Sequence, residues 1–233
     1  MILTQEQVQI VEGSLLGDGY ITKYGTRSGK NASLYKKQRR AVRDSLEWLY
    51  AKLDPFSCNI HDNIEFAPVK CGRKFVVGER GRKLKASIFY TRQHAVFNDF
   101  RDRWYTSGKK AVPSEFRLSP AALAVWFMDD GSNAPGYQHA FFSTQSFTRS
   151  ECECLCDQLR TEFGIGCAIK PDGDGKPVIR INRRWYGQFI DIVRPFFAFE
   201  SMQYKVSMDP SEYAQLRGRR SIAGARGVRF MAC

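Results

Sequence analysis

Two aspartates carry the first chemical signal in this 233-residue chain. Asp18 and Asp130 each follow an apolar run and each stands directly before a glycine, 112 positions apart. If such a run is a helix, an aspartate is out of place at its end, because a helix C-terminus carries partial negative charge. If the two helices pack about a pseudo-two-fold axis, Asp18 and Asp130 meet across it and raise one another's pKa. A bound divalent cation removes both penalties. Hard cations such as Mg²⁺ take a few carboxylates together with waters and substrate phosphates. Two carboxylates on a basic surface suit metal-assisted hydrolysis of a phosphodiester, with Mg²⁺ as the expected cofactor and Mn²⁺ as its expected substitute. One aspartate alone is explained by a helix that stops before a glycine cap. The same irregular ending at two matching places argues against that simpler explanation.

The elements that must position these residues are readable in outline. Thr4-Gln5-Glu6-Gln7 fits a capping box and opens a helix through Val8, Val11, Leu15 and Leu16 that stops at Gly17-Asp18-Gly19. Residues 20–38 read as a hairpin, 40–53 as a helix, and 58–92 as two or three strands (63–70, 74–77 and 84–92). A helix follows over 95–105. The plan then restarts. Ser119-Pro120 is an N-cap followed by proline at the first helical position, and that helix stops at Asp129-Asp130-Gly131. A strand is expected over 139–145, a helix from the capping box Thr148-Arg149-Ser150-Glu151 to about 163, strands over 167–170 and 178–182, and a helix over 183–193. The same order of helix, strands, helix, strands, helix occurs twice, which reads as an internal duplication. The expected divisions are 1–112, 113–209 and a basic tail over 210–233, taken as flexible.

Charge agrees with a polyanionic partner. Lys plus Arg is 36 against 24 Asp plus Glu, a net of +12. Residues 1–113 hold a net +10, residues 114–210 a net −2, and the tail a net +4. Nucleic acid is the first candidate and an anionic membrane the second, and no apolar run is long enough to span a membrane. The first residues lack a basic stretch and a cleavage site, so an intracellular protein without a signal peptide is expected, its host compartment (organelle, bacterial or phage-encoded) left open. Seven cysteines, none in a C-x-x-C pair, read as reduced thiols rather than zinc ligands.

Val11-Glu12-Gly13-Ser14-Leu15-Leu16-Gly17-Asp18-Gly19 resembles a LAGLIDADG motif, and Leu123-Ala124-Val125-Trp126-Phe127-Met128-Asp129-Asp130-Gly131 resembles its second copy. The second departs from the first in carrying Val125 where Gly13 stands. Ser143-Thr144-Gln145-Ser146-Phe147-Thr148, Lys176-Pro177-Val178-Ile179 and Met202-Gln203-Tyr204-Lys205 follow in the order seen in single-chain, two-motif LAGLIDADG homing endonucleases. The resemblance covers about residues 4–209. It implies an α+β fold of two pseudo-symmetric αββαββα halves, with the motif helices at the interface and two antiparallel sheets forming a saddle over the DNA major groove. It also implies a monomer acting as a pseudo-dimer on double-stranded DNA. By the same resemblance Asp18 and Asp130 hold the metals, and main-chain carbonyls of Gly17 and Asp129 add ligands. Lys205 and Lys110, with Lys109 as the alternative to the latter, then stand in the water network around the scissile phosphates.

Bases are read in the major groove and phosphates supply affinity without sequence information. The expected DNA contacts in the first half are Arg27, Lys30 and Asn31 on the first hairpin, the run Lys36, Lys37, Arg39 and Arg40, and Lys70, Arg73, Arg80, Arg82, Lys83, Lys85 and Arg92. In the second half they are His139, Gln145, Lys170, Lys176, Arg180 and Asn182. Rival readings stand beside this one. Phe127-Met128-Asp129-Asp130 is similar to the Y-x-D-D signature of reverse transcriptases, but that motif needs a hairpin where a helix is expected. An RNA maturase and a DNA-binding protein that has lost catalysis are the other two, and retention of both aspartates argues against the last.

Overall fold

The computed structural model describes residues 1–25, 29–67, 69–71, 74–76, 82–106 and 108–226; between 65 and 84 and between 220 and 226 it describes the backbone only. Helix α1 (Gln5–Leu16) is opened by the capping box, with Thr4 accepting from the Gln7 N–H and the Gln7 side chain accepting from the Thr4 N–H. Strands β1 (Gly19–Ile21) and β2 (Leu34–Arg39) follow as an antiparallel pair. A 3₁₀ turn over Arg40–Val42 leads into α2 (Arg43–Lys52). Strands β3 (Ser57–Ala67) and β6 (Arg82–Thr91) form a long hairpin whose tip carries the short pair β4 (Val69–Cys71) and β5 (Lys74–Val76). Helix α3 (Val96–Trp104) closes this half.

The second half repeats the plan. Helix α4 (Pro120–Asp130) starts where the Ser119 side chain accepts from the Ala122 N–H at 3.1 Å. Strands β7 (Gly131–Ala134) and β8 (His139–Phe142), helix α5 (Arg149–Phe163), strands β9 (Cys167–Pro171) and β10 (Pro177–Ile181), and helix α6 (Tyr186–Val193) follow. The sheets are antiparallel and share one plan: β1-β2-β6-β3 and β7-β8-β10-β9. In each, the strand leaving the motif helix lies at one edge. The fold is therefore the α+β arrangement the sequence implied.

Each sheet lays one face on helices and leaves the other open. In the second sheet Ala140, Phe142, Ile179 and Ile181 are fully buried, while His139, Phe141 and Arg180 on alternate positions are partly open. This is the period of two that sends successive strand residues to opposite faces. One hydrophobic core runs through both halves and includes Leu15, Leu123, Trp126, Phe127, Phe142 and Phe189.

Three local readings change. Strand β3 begins at Ser57, six residues before its expected start, and β7 was not anticipated at all. The segment after 209, expected to be a flexible tail, holds helix α7 (Pro210–Arg226). Asp209 caps it, accepting from the Ser211 N–H at 2.7 Å, and Pro210 stands at its first position. That pair is the same start signal as Ser119-Pro120. Among the described residues no helix is long and apolar enough to cross a membrane. The five cysteines whose side chains are described, 58, 152, 154, 156 and 167, are free thiols.

Candidate active site

The site is built on the seam between α1 and α4. A Cβ placed on Gly13 would lie 2.6 Å from the Ala122 carbonyl oxygen and 2.9 Å from the Val125 Cβ. A Cβ on Gly17 would lie 2.4 Å from the Asp129 Cβ. Real Cβ atoms do not approach so closely, so both glycines are needed by the contact itself. The unequal motifs are thus complementary: Gly13 makes room for Val125, and Gly17 makes room for Asp129. The bulk of Val125 keeps the seam closed.

This packing brings three carboxylates together at the helix ends. Asp129, its side chain only 1% exposed, reaches across the seam into the first half. Its Oδ2 accepts the Asp18 N–H at 3.2 Å, and its Oδ1 accepts from Lys36 Nζ at 2.8 Å and Gln38 Nε2 at 3.1 Å. Gln38 Nε2 also donates to Asp18 Oδ2 at 2.8 Å. Burial pushes the Asp129 carboxyl above its usual range, against the pull of Lys36. Asp130 is pushed up to about 7, by burial first and then by the charges of Asp129 and Asp18, while Lys110 and Lys205 pull it back. Asp18 and Asp130 are therefore near enough for the charge of Asp18 to raise the Asp130 carboxyl.

The lysines cap the acidic helix ends. Lys110 Nζ donates to the carbonyls of Gly17 at 2.6 Å and Gly19 at 3.1 Å. Lys205 Nζ donates to those of Met128 at 2.7 Å and Phe127 at 3.2 Å. A cation at a helix C-terminus is favoured by the helix dipole, so each lysine offsets the ending that the aspartates disfavour. Burial draws Lys110 below its usual value, against Asp130, Asp129 and Asp18. Lys109 is exposed, so of the two neighbours Lys110 is the one at the site. The Gly17 carbonyl, expected as a metal ligand, is engaged by Lys110.

Residues 8–189 match the LAGLIDADG DNA endonuclease family. The chain belongs to this family. A cytochrome b mRNA maturase, bI2, of Debaryomyces hansenii is 29% identical over 73% of this chain and 62% of its own length. A probable intron-encoded endonuclease of Wickerhamomyces canadensis is 26% identical over 88% of this chain and 85% of its own. In fold, the chain is similar to the homing endonuclease I-WcaI bound to its DNA recognition sequence (TM-score 0.72, 23% identity, 90% of this chain and 89% of that one).

Against this LAGLIDADG fold the expected DNA contacts divide. Lys37 and Arg39 point to the open face of the first sheet, and both line a cleft of about 330 Å³ with Asp18, Gln38 and Lys85. Lys36 departs from expectation: one position away, it is 5% exposed and ion-paired with Asp129. Arg40 is exposed but paired with Asp62 at 3.0 Å, and Asn31 accepts from Asn98 Nδ2 at 3.2 Å. Lys30 and Arg92 are exposed. In the second half Lys170, Lys176 and Gln145 are exposed and Asn182 is half-buried. His139 and Arg180 share the open face of the second sheet and touch at 2.7 Å. Arg27, Arg73 and Arg80 lie outside the described residues, as do the side chains of Lys70, Arg82 and Lys83. Reading by charge missed the open-face residues Tyr35, Asn59, His61, Asn63 and Tyr90; strand alternation from Lys37 reaches Tyr35, and the others follow only from the observed register. It also missed Gln38, whose role depends on Asp129, 91 residues away.

Proposed function

We propose that the chain is a site-specific double-strand DNA endonuclease that hydrolyses one phosphodiester in each strand, with divalent metal held between Asp18 and Asp130. The observation that carries this reading is the convergence of these two carboxylates at the ends of two helices packed through glycine. The donor set fits a hard cation. Among the described residues none donates a hydrogen bond to the Asp130 carboxylate, which burial and two neighbouring charges disfavour as an anion. A cation answers that penalty. No cluster of three or more His, Cys, Asp or Glu side chains arranged to hold a metal occurs among the described residues. Two carboxylates completed by water and phosphate oxygens is the pattern expected for Mg²⁺, with Mn²⁺ able to replace it.

When bound, the metal polarises the phosphate and lowers the pKa of bound water. The chain's own residues supply the rest. Lys110 and Lys205 bring positive charge beside the carboxylates and counter negative charge growing on the phosphate. Gln38 holds Asp18 in one orientation. The open sheet faces carry the donors and acceptors that read bases in the major groove of a long site, with residues 1–112 and 113–209 each covering one part of it. Because one chain supplies both halves, it acts as a monomer. Asp18→Asn and Asp130→Asn, each tested on target DNA, should still bind and should lose strand cutting; full cutting by either sinks the assignment.

A second reading is an RNA maturase, favoured by the likeness to the Debaryomyces hansenii protein. Splicing of an intron transcript in the presence of this protein, without DNA cutting, would select it.

A further inference from the structure

The surroundings of Asp18 and Asp130 are unequal, and one ion pair accounts for most of the difference. Aligning the motifs sets Gly17 against Asp129, so only the second copy carries a carboxylate at that place. Aligning the strands that follow sets Lys36, opposite Gly19, against Phe142, opposite Gly131. Phe142 is fully buried in the core of its half. At these two aligned places the duplication therefore holds a buried, ion-paired anion and cation on one side of the axis, where the other side has Gly17 and Phe142. Both Asp129 oxygens are engaged: Oδ1 by Lys36 and Gln38, Oδ2 by the Asp18 N–H. Gln38 then bridges from Asp129 to Asp18 Oδ2. Asp18 is clamped at its backbone and at its carboxylate, whereas no described residue donates to the carboxylate of Asp130.

We propose that Asp129, anchored by Lys36, is a positioning residue that fixes Asp18 and makes the two cleavage centres unequal, each serving one strand. The proposal rests on the cleavage reading above. It assigns Asp129 to the protein's own framework, with its carboxylate acting through Asp18.

The test is strand-specific cleavage of a duplex labelled separately at the end of each strand, using a target recovered by selecting cut members of a randomised library. The neutral pair Lys36→Met/Asp129→Asn leaves no single buried charge, and Asp129→Asn alone keeps the shape of the side chain. The single variant is the one read if the pair does not fold. Either should cut one strand at least about tenfold slower than the wild type and the other within about threefold, so that nicked duplex accumulates. Loss of folded protein lowers both strand rates together, so the ratio of rates separates positioning from stability. Equal slowing of both strands, as a shared metal ligand would give, overturns the proposal, and so does no slowing of either. If the wild type cuts neither strand, the cleavage reading itself fails; unequal or equal loss in the variants is read only against a wild type that cuts both.

Discussion

Asp18 and Asp130 occupy positions that a helix end disfavours, and the neighbouring residues show how the chain tolerates them. Lys110 and Lys205 donate into the last carbonyls of the two motifs, and Gln38 bridges two carboxylates. Asp130 keeps the penalty: its carboxyl stands at about 7 in the folded chain against an ordinary 3.8. Between these values the folded state holds a proton that the unfolded state has released. Without metal, this group's stabilising contribution is complete below about 3.8 and is lost as pH rises toward 7. The melting temperature of metal-free Asp130→Asn should therefore fall less than that of the wild type between about pH 5 and about pH 8, by roughly 2–4 °C for each kcal/mol removed. Metal should raise the wild-type melting temperature more at the upper pH, where Asp130 is ionised. Equal falls in wild type and variant would contradict the burial of this carboxyl. The paired aspartates were legible because their type and spacing repeat. The Lys36–Asp129 pair was not, since Lys36 and Lys37 are the same residue in sequence and only strand alternation sends one inward.

The elements follow from local signals where those signals are strong. Thr4, Ser119-Pro120 and Thr148 each open a helix at the expected residue because capping chemistry is local. Strand β7 escaped because Gly131-Ser132-Asn133-Ala134 has poor intrinsic strand preference and owes its conformation to pairing with β8. Helix α7 escaped because its basic composition outweighed the Asp209-Pro210 start signal. The α1–α4 seam depends on residues that sequence shows only as small. Gly13→Ala tests it. In an isolated helix the change is stabilising by up to about 1 kcal/mol. Here the added methyl meets the Ala122 backbone at 2.6 Å, which cannot swing away as a side chain does. A net loss of about 1–3 kcal/mol in denaturant unfolding is expected. A gain in stability would mean that the helices lie farther apart than described.

At the scale of the whole molecule, the +12 charge and the duplicated fold serve one surface. On the proposed DNA-cutting reading, the net +10 over residues 1–113 concentrates the phosphate attraction on the first half, and the nearly neutral second half supplies the matching carboxylate. Affinity for duplex DNA should fall steeply with salt, by about 10³-fold or more between about 50 and about 200 mM if about six phosphates are contacted. Removing Lys37 and Arg39 should flatten that dependence more than removing Lys170 and Lys176; a flat dependence in the wild type contradicts electrostatic binding. The duplication and the charge bias were legible from sequence alone. The contact across the seam, in which Asp129 of the second half joins Asp18, Lys36 and Gln38 of the first, was not, because it joins residues about a hundred positions apart. Selection of cut molecules from a randomised duplex library with Mg²⁺ tests the central claim most directly. The wild type should enrich one long site cut in both strands, and Asp18→Asn should enrich none. No enrichment by the wild type, or the same cut site from Asp18→Asn, would contradict it.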